Sequence, residues 1–250
     1  MKIRLAALLT CTAIVPARAQ FPPAQLKNLK VLPADIGVSA LIDTMKAFTR
    51  ALGVRCSYCH VGREGQDLSE YDFVSDARAA KEKARDMLRM VTAINTQYLA
   101  ALPVRRSPVI MVNCATCHRG TPEPRPIQQV ILTAYAAGGA DSAEAAYRAL
   151  RTRYYGSAAY DFGEVPLTEV ADVIAARGTA ADAMRLYQLN AELLPTSGFA
   201  FRQLGLAYLE QHDTAQALTA FRKRLELQPN NPEAKQFVDQ LTRKTPAQRR

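Results

Sequence analysis

Apolar side chains recur at helical spacing along most of this chain. Leu41, Ile42, Met45, Phe48 and Leu52 fall on one face and predict a helix that Ser39 caps and Gly53 ends. Ala84, Met87, Leu88, Val91, Ile94, Tyr98 and Leu102 mark a second, longer helix starting at Ser75 or Asp76. Phe21 to Pro33 reads as an extended, proline-containing lead-in. Residues 61–74 read as an irregular connection broken by Gly62 and Gly65, and Pro103 to Pro108 as a loop. Each predicted helix is followed by a connection and a Cys-x-x-Cys-His pentapeptide, so the first half of the chain states one plan twice. Thr121-Pro122-Glu123-Pro124-Arg125-Pro126 closes it with a proline-rich boundary.

Beyond that boundary the pattern is helical throughout, and it repeats. Phe201, Leu204-Gly205, Tyr208, Ala217, Phe221 and Pro229 are matched 34 residues earlier by Leu167, Val170-Ala171, Ile174, Ala183, Tyr187 and Pro195. A small residue where paired helices touch, aromatics between them and a proline after the second helix resemble the tetratricopeptide repeat. Residues 164–250 are therefore expected to form such repeats, with Glu233 to Leu241 as a polar closing helix. Residues 127–163 are helical but out of register, and read as a helical linker or an atypical leading repeat. The expected fold is all-α: a domain over residues 20–126 followed by a short tetratricopeptide-like superhelix.

Residues 1–19 follow a different logic. Lys2 and Arg4 form a basic start, Leu5 to Val15 an apolar run, and Ala17-Arg18-Ala19 a small-residue box before Gln20. This is the pattern of a secretory signal peptide cleaved near Ala19-Gln20, and it predicts a periplasmic or otherwise exported mature protein. Thr10 before Cys11 fits a lipoprotein site poorly. No later stretch approaches the ~20 apolar residues of a membrane-spanning helix, so no transmembrane segment is expected in the mature chain. With 48% apolar and 22% charged residues the composition is that of a soluble globular protein.

Four cysteines remain after cleavage. In an oxidising compartment they would suggest two disulfides, but their spacing points elsewhere. Cys56-Ser57-Tyr58-Cys59-His60 and Cys114-Ala115-Thr116-Cys117-His118 each place two sulfurs for the two vinyl positions on one porphyrin edge. The adjacent histidine then reaches the iron. A Cys₂His₂ zinc site would want a separate histidine pair, and a thioredoxin-like dithiol has no use for a histidine next to each second cysteine. The reading is two covalently bound haem c groups, on Cys56 and Cys59 and on Cys114 and Cys117, with His60 and His118 as axial ligands.

The sixth iron ligands need other residues. His212 is the one further histidine, in a turn between two repeat helices, where it would have to couple two domains. Methionine is the usual alternative and raises the reduction potential. Met45 lies on the helix before the first site. Met90 and Met87 lie on the second helix, and Met111 stands close to Cys114. Met45 and Met90 are the expected ligands, with Met87, Met111 or an open position as alternatives at the second iron.

The formal charge of +9 changes the picture once haem is considered. Residues 20–126 carry 15 Lys and Arg against 10 Asp and Glu, whereas residues 127–250 carry 14 against 13 and the first 19 residues add three cations. A nucleic-acid binder shows such a basic excess, but the propionates of two haems would offset most of it. No nucleic acid is expected as a partner.

From Met45 to Pro124 the chain also resembles part of the tetrahaem cytochrome subunit of photosynthetic reaction centres. The resemblance lies in Leu52-Gly53-Val54 ahead of Cys56, in Arg89-Met90-Val91 with Ala93-Ile94-Asn95, and in Val112-Asn113 running into Cys114 to His118 with Gly120. In that family each site is a helix, a turn and a Cys-x-x-Cys-His, and three of four haems take a methionine from the preceding helix. Met45 matches such a position. The second site resembles the family's bis-histidine haem, whose distal histidine comes from a part absent here, leaving Met90, another residue or nothing. The resemblance covers two of four haem units and none of the repeats, so a photosynthetic role does not follow from it.

The function these features imply is electron transfer between a protein donor and acceptor, membrane-bound partners included, with the repeats as a docking surface. Competing readings are a peroxidase-like dihaem enzyme with one open iron and a redox-sensing interaction scaffold.

Overall fold

The computed structural model describes residues 21–103 and 108–244. The expected signal peptide lies outside the described residues, as does most of the loop expected at Pro103 to Pro108. The protein is all-α, and the chain divides into two compact units, up to Pro122 and from Glu123 onward. Among the described residues β-pairing is confined to one antiparallel bridge, Val61 to Asp72. No described helix is long and apolar enough to cross a membrane.

The first unit holds α1 (Val38–Leu52), the single turn α2 (Cys56–Cys59), α3 (Ala79–Ala93) and the short α4 (Cys114–His118). Helix α1 starts earlier than expected, because Leu41 N–H already bonds Gly37 O at 2.9 Å. Gly37 rather than Ser39 is its N-cap. Gly53 ends the helix in the left-handed region at φ 65°. Gly53 N–H reaches Arg50 O at 3.4 Å and Val54 N–H reaches Thr49 O at 3.1 Å, the paired bonds of a Schellman ending. Gly120 N–H, from the turn after α4, caps Ala51 O at 2.8 Å. The two backbones cross so closely that a Cβ on Gly53 would sit 2.0 Å from Gly120 O.

Helix α3 is shorter than its apolar pattern at both ends. Its expected start, Ser75 or Asp76, lies in a turn. Asp72 Oδ1 accepts from Val74 N–H and Ser75 N–H, each at 2.9 Å, and Ser75 Oγ accepts from Ala77 N–H at 3.1 Å. Such local side-chain bonds compete with helix formation. Asp76 itself is drawn into ion pairs with Lys30, Arg85 and Lys81 at 2.7, 2.9 and 3.1 Å. At the far end α3 opens into a π turn, Ile94–Tyr98, with Leu99 N–H on Ile94 O at 2.8 Å. The expected run to Leu102 stops there because the Asn95 amide pairs with the backbone of Val112 instead, donating to its O at 2.7 Å and accepting from its N–H at 2.8 Å.

The second unit contains α5 (Ile127–Tyr154), α6 (Glu164–Arg177), α7 (Ala180–Leu193), α8 (Gly198–Glu210), α9 (Thr214–Leu227) and α10 (Pro232–Lys244). Helices α6 and α8 begin 34 residues apart, as do α7 and α9, and each pair packs as an antiparallel hairpin in the tetratricopeptide manner. Gly205 lets α8 touch α9, since a Cβ there would meet the Phe221 ring at 2.8 Å. Phe221 stacks on Phe237 of α10 with centroids 4.2 Å apart. Glu233 joins Arg202 of α8 and Arg224 of α9, each at 2.8 Å. Helix α5 is kinked at Gly138–Gly139 and buries Ile127, Ile131, Ala143 and Tyr147 in the same core as α6 and α7.

The two units differ in kind. Nearly all the buried apolar side chains belong to the second, and in the first they are Ala51 and Tyr71. Large apolar side chains left exposed show the reverse distribution, with Tyr155 and Val165 the two that lie in the second unit.

The Gly53–Gly120 crossing carries a testable consequence. A left-handed non-glycine residue costs ~1–2 kcal/mol, and Gly65→Ala, at φ 81° with open space around its Cβ, should cost only that. Gly53→Ala adds a backbone clash and should cost clearly more, lowering the unfolding midpoint of the first unit in denaturant. Equal midpoints for the two variants would show that the crossing is not a constraint.

Candidate haem sites

The second pentapeptide is set up by its own residues. Asn113 Oδ1 accepts from Thr116 N–H at 3.2 Å, and Thr116 Oγ1 accepts from Asn113 N–H at 3.1 Å. This is a reciprocal cap that starts the helix at Cys114. One helical turn then puts Cys114 and Cys117 on one side, with His118 at its end. Arg119 turns left-handed at φ 51° and Gly120 follows at φ 91°, which brings Thr121 back under the imidazole. The contact between His118 Nδ1 and Thr121 O is 2.9 Å. A carbonyl only accepts, so Nδ1 carries the proton and Nε2 keeps the lone pair a metal needs.

The first pentapeptide reaches the same result by other means. His60 N–H bonds Cys56 O at 2.9 Å, and His60 is extended (φ −119°, ψ 152°), so its ring leaves the helix and enters an aromatic pocket. Phe73 meets it edge-on at 5.0 Å, and Phe73 itself packs against Tyr71 and Phe21, each at 5.5 Å. Tyr71 is held by its hydroxyl, which donates to Arg63 O at 2.6 Å. His60 Nδ1 is buried without a hydrogen bond. The nearby Phe73 carbonyl, which favours the charged ring, accepts from Lys81 Nζ at 2.9 Å. Burial first, and then the Lys81 charge, lower the His60 pKa to about 4. The imidazole is therefore neutral at physiological pH and able to bind a metal.

All four cysteines are free thiols. Burial raises the pKa of Cys59, with Cys56 adding to the shift and Lys81 opposing it, and burial likewise raises that of Cys114. These are not the lowered thiol pKa values of a redox-active or nucleophilic cysteine. Among the described residues no three His, Cys, Asp or Glu side chains converge as zinc ligands would. A porphyrin, by contrast, fits. Tyr58, Val61, Val74, Met87, Met90, Tyr98, Val109, Ile110 and Met111 turn apolar surface outward around the two motifs, and that surface matches the flat apolar faces of a covalently held ring.

The candidate distal ligands fall in different places. Met45 is half-buried in the middle of α1, which packs against α4, while α2 packs against α3. Met87 and Met90 are 41% and 45% exposed on α3, and Met111 is 56% exposed. His212 sits left-handed at φ 61° in the turn between α8 and α9. Periodicity assigns no site role to Thr121, Phe73, Lys81, Asp76 or Asn95. Polar residues between helices leave no periodic trace.

Comparison with known proteins places this site in a lineage. The profile of the photosynthetic reaction centre cytochrome c subunit matches residues 9–164. Cytochrome c-554 of Chloroflexus aurantiacus is 39% identical over 72 residues, 29% of this chain and 15% of its own length, so the chain spans only a small part of that relative. Among solved structures, the first TPR of Spaghetti (RPAP3) bound to an HSP90 peptide is 20% identical with a TM-score of 0.32, covering 47% of this chain and 89% of its own. The Sgt2 TPR domain from Aspergillus fumigatus is 21% identical with a TM-score of 0.31, covering 47% and 76%. At such scores the repeat architecture rests on the helix pairing described above. The family is one of electron-transfer proteins whose cofactor is covalently bound haem c. Since its profile spans more than half of this chain and takes in both pentapeptides, the chain belongs to the photosynthetic reaction centre cytochrome c subunit family.

Proposed function

We propose that this chain is an exported dihaem cytochrome that passes electrons between a protein donor and a protein acceptor. Residues 1–19 would be removed on export. Residues 20–126 would form the dihaem domain, and residues 127–163 a helical linker or leading pair. Residues 164–250 would supply the docking surface. The observation that carries the reading is that both pentapeptides fold into a single turn with the histidine at its end, His118 donating Nδ1–H to Thr121 O and His60 kept neutral by burial.

When bound, haem c supplies a one-electron iron couple. Cys56 and Cys59 hold the first ring and Cys114 and Cys117 the second, through thioethers. Thr121 O fixes the tautomer of His118, and Phe73 fixes the plane of His60. Met45 would be the second protein ligand of the first iron, which would leave that iron no open position for substrate. At the second, Met90 is the assigned distal ligand, with Met87 and Met111 as alternatives. In the repeats, Phe201, Leu204, Tyr208, Thr219, Ala220 and Lys223 line a mostly apolar groove on α8 and α9, suited to apolar side chains of a partner.

One observation favours a second reading. Met87, Met90 and Met111 are 41%, 45% and 56% exposed, and a second iron left open by them would allow peroxidase-like chemistry. A high-spin spectrum with hydrogen peroxide turnover would select that reading, and a fully low-spin spectrum without turnover the first.

The mature holoprotein should weigh two haems more than its polypeptide. Replacing Cys56 and Cys59 by Ala should leave one haem by mass and by haemochrome absorbance, and replacing all four should leave none. A mass equal to the bare chain would end the dihaem reading. Met45→Ala should turn one haem high-spin and abolish its methionine–iron charge-transfer band, while Met90→Ala should act on the other haem alone. Unchanged magnetic circular dichroism in either variant would remove that residue from the ligand set. Removing residues 164–250 should leave both haem spectra intact and slow reduction by membranes of the source organism at least tenfold. Unaltered kinetics would exclude the docking role.

A further inference from the structure

The two proximal histidines differ in what stands behind them. His118 Nδ1–H donates to Thr121 O at 2.9 Å, which raises the basicity of the ring and favours oxidised iron. His60 Nδ1 makes no hydrogen bond of normal geometry, and the carbonyl beside its ring, Phe73 O, is shared with Lys81. Lys81 Nζ takes the Phe73 carbonyl at 2.9 Å, together with Val74 O at 3.0 Å and Ser75 O at 2.8 Å. Only 12% of the Lys81 side chain is exposed, so its ammonium is a fixed charge, shielded from solvent and from salt. Its position beside the first site shows in its effect on both Cys59 and His60.

Lys30, Lys81 and Arg85 face Asp76 and Glu82 in one cluster, and Asp72 also acts on the His60 ring, but the Lys81 charge outweighs it there. The Arg85 side chain is only 8% exposed. The other ion pairs of the first unit that lie near its helices, Asp43–Lys46, Arg55–Glu64 and Asp86–Arg89, are well exposed and screened by water.

We infer that Lys81 is a positioning residue for electron flow: its buried ammonium raises the reduction potential of the haem on Cys56 and Cys59 selectively, so that an entering electron comes to rest there. This rests on the dihaem reading above. The step is a one-electron reduction, with the electron supplied by the donor protein and no bond made or broken. A positive charge close to iron in a low-dielectric setting stabilises the reduced state, which carries one positive charge fewer. Among the described residues no lysine is held in this way behind His118, where the Thr121 carbonyl works in the opposite direction.

Lys81 also ties down three carbonyls, so the test must separate charge from scaffolding. The measurement is a spectroelectrochemical titration of the full-length holoprotein, with the first-site wave identified as the one lost in the Cys56→Ala/Cys59→Ala chain. Lys81→Met should shift that wave's electron-binding equilibrium at least tenfold toward the oxidised form, ~59 mV for a one-electron couple, and leave the second wave in place. Lys81→Arg keeps the charge and should restore the wave. Asp76→Asn removes an anion from the same cluster and should move the first wave upward. A loosened, wetter pocket would lower the potential in both Lys81→Met and Asp76→Asn, so shifts of opposite sign identify the charge effect. Shifts of the same sign, equal shifts of both waves, or no shift at all would overturn it. If Lys81→Met does not load its first haem, the direction of the Asp76→Asn shift decides alone. A mass below two haems in the unmodified chain would count against the dihaem reading and not against this electrostatic one.

Discussion

The described part of the first unit, about a hundred residues, buries only Ala51 and Tyr71 among its apolar side chains, too little for a polypeptide core to hold it together. What it does bury is polar: Arg85, Asn95 and Thr121. Its larger apolar residues point outward around the two pentapeptides. A hydrophobic core has been exchanged for a polar frame, and the apolar surface is presented to a cofactor. The placement of histidines, the path of each connection and the shortened helices all follow from this one constraint.

The frame consists of a few contacts that link distant parts of the sequence. The Asn95 amide pins the approach to Cys114 from 17 residues away. Gly53 and Gly120 cross at backbone contact and tie the end of α1 to the turn after α4. Asp76, with Lys30, Lys81 and Arg85, binds the lead-in, the connection and α3 together, and these cations hold its carboxyl well below the usual range. The frame is also asymmetric. Two pentapeptides of the same chemical design end up with differently supported histidines, one hydrogen-bonded to a carbonyl and the other packed in an aromatic pocket beside a buried ammonium.

The second unit obeys the opposite logic. Each helix pair buries small residues at the contact (Ala171, Ala183, Gly205, Ala217) and aromatics between neighbours, so stability accrues from pair to pair. Its ion cluster around Glu233 fastens three helices whose apolar packing is already complete. Such a unit carries its own apolar core.

Periodic features were legible from the residues alone. The all-α class, the 34-residue repeat and the closing helix follow from apolar spacing, because a helix face is a local property of the chain. The cysteine pairs and their histidines follow from a reaction geometry that tolerates no other spacing. Tertiary structure decided the rest. It moved the start of α3 from Ser75 or Asp76 to Ala79, opened a π turn at Ile94, gave His60 and His118 unlike support and set a largely shielded lysine near one of them. Each of these depends on which distant carbonyl, carboxylate or amide competes for a polar group, and such competition is settled only when segments far apart in sequence meet in space.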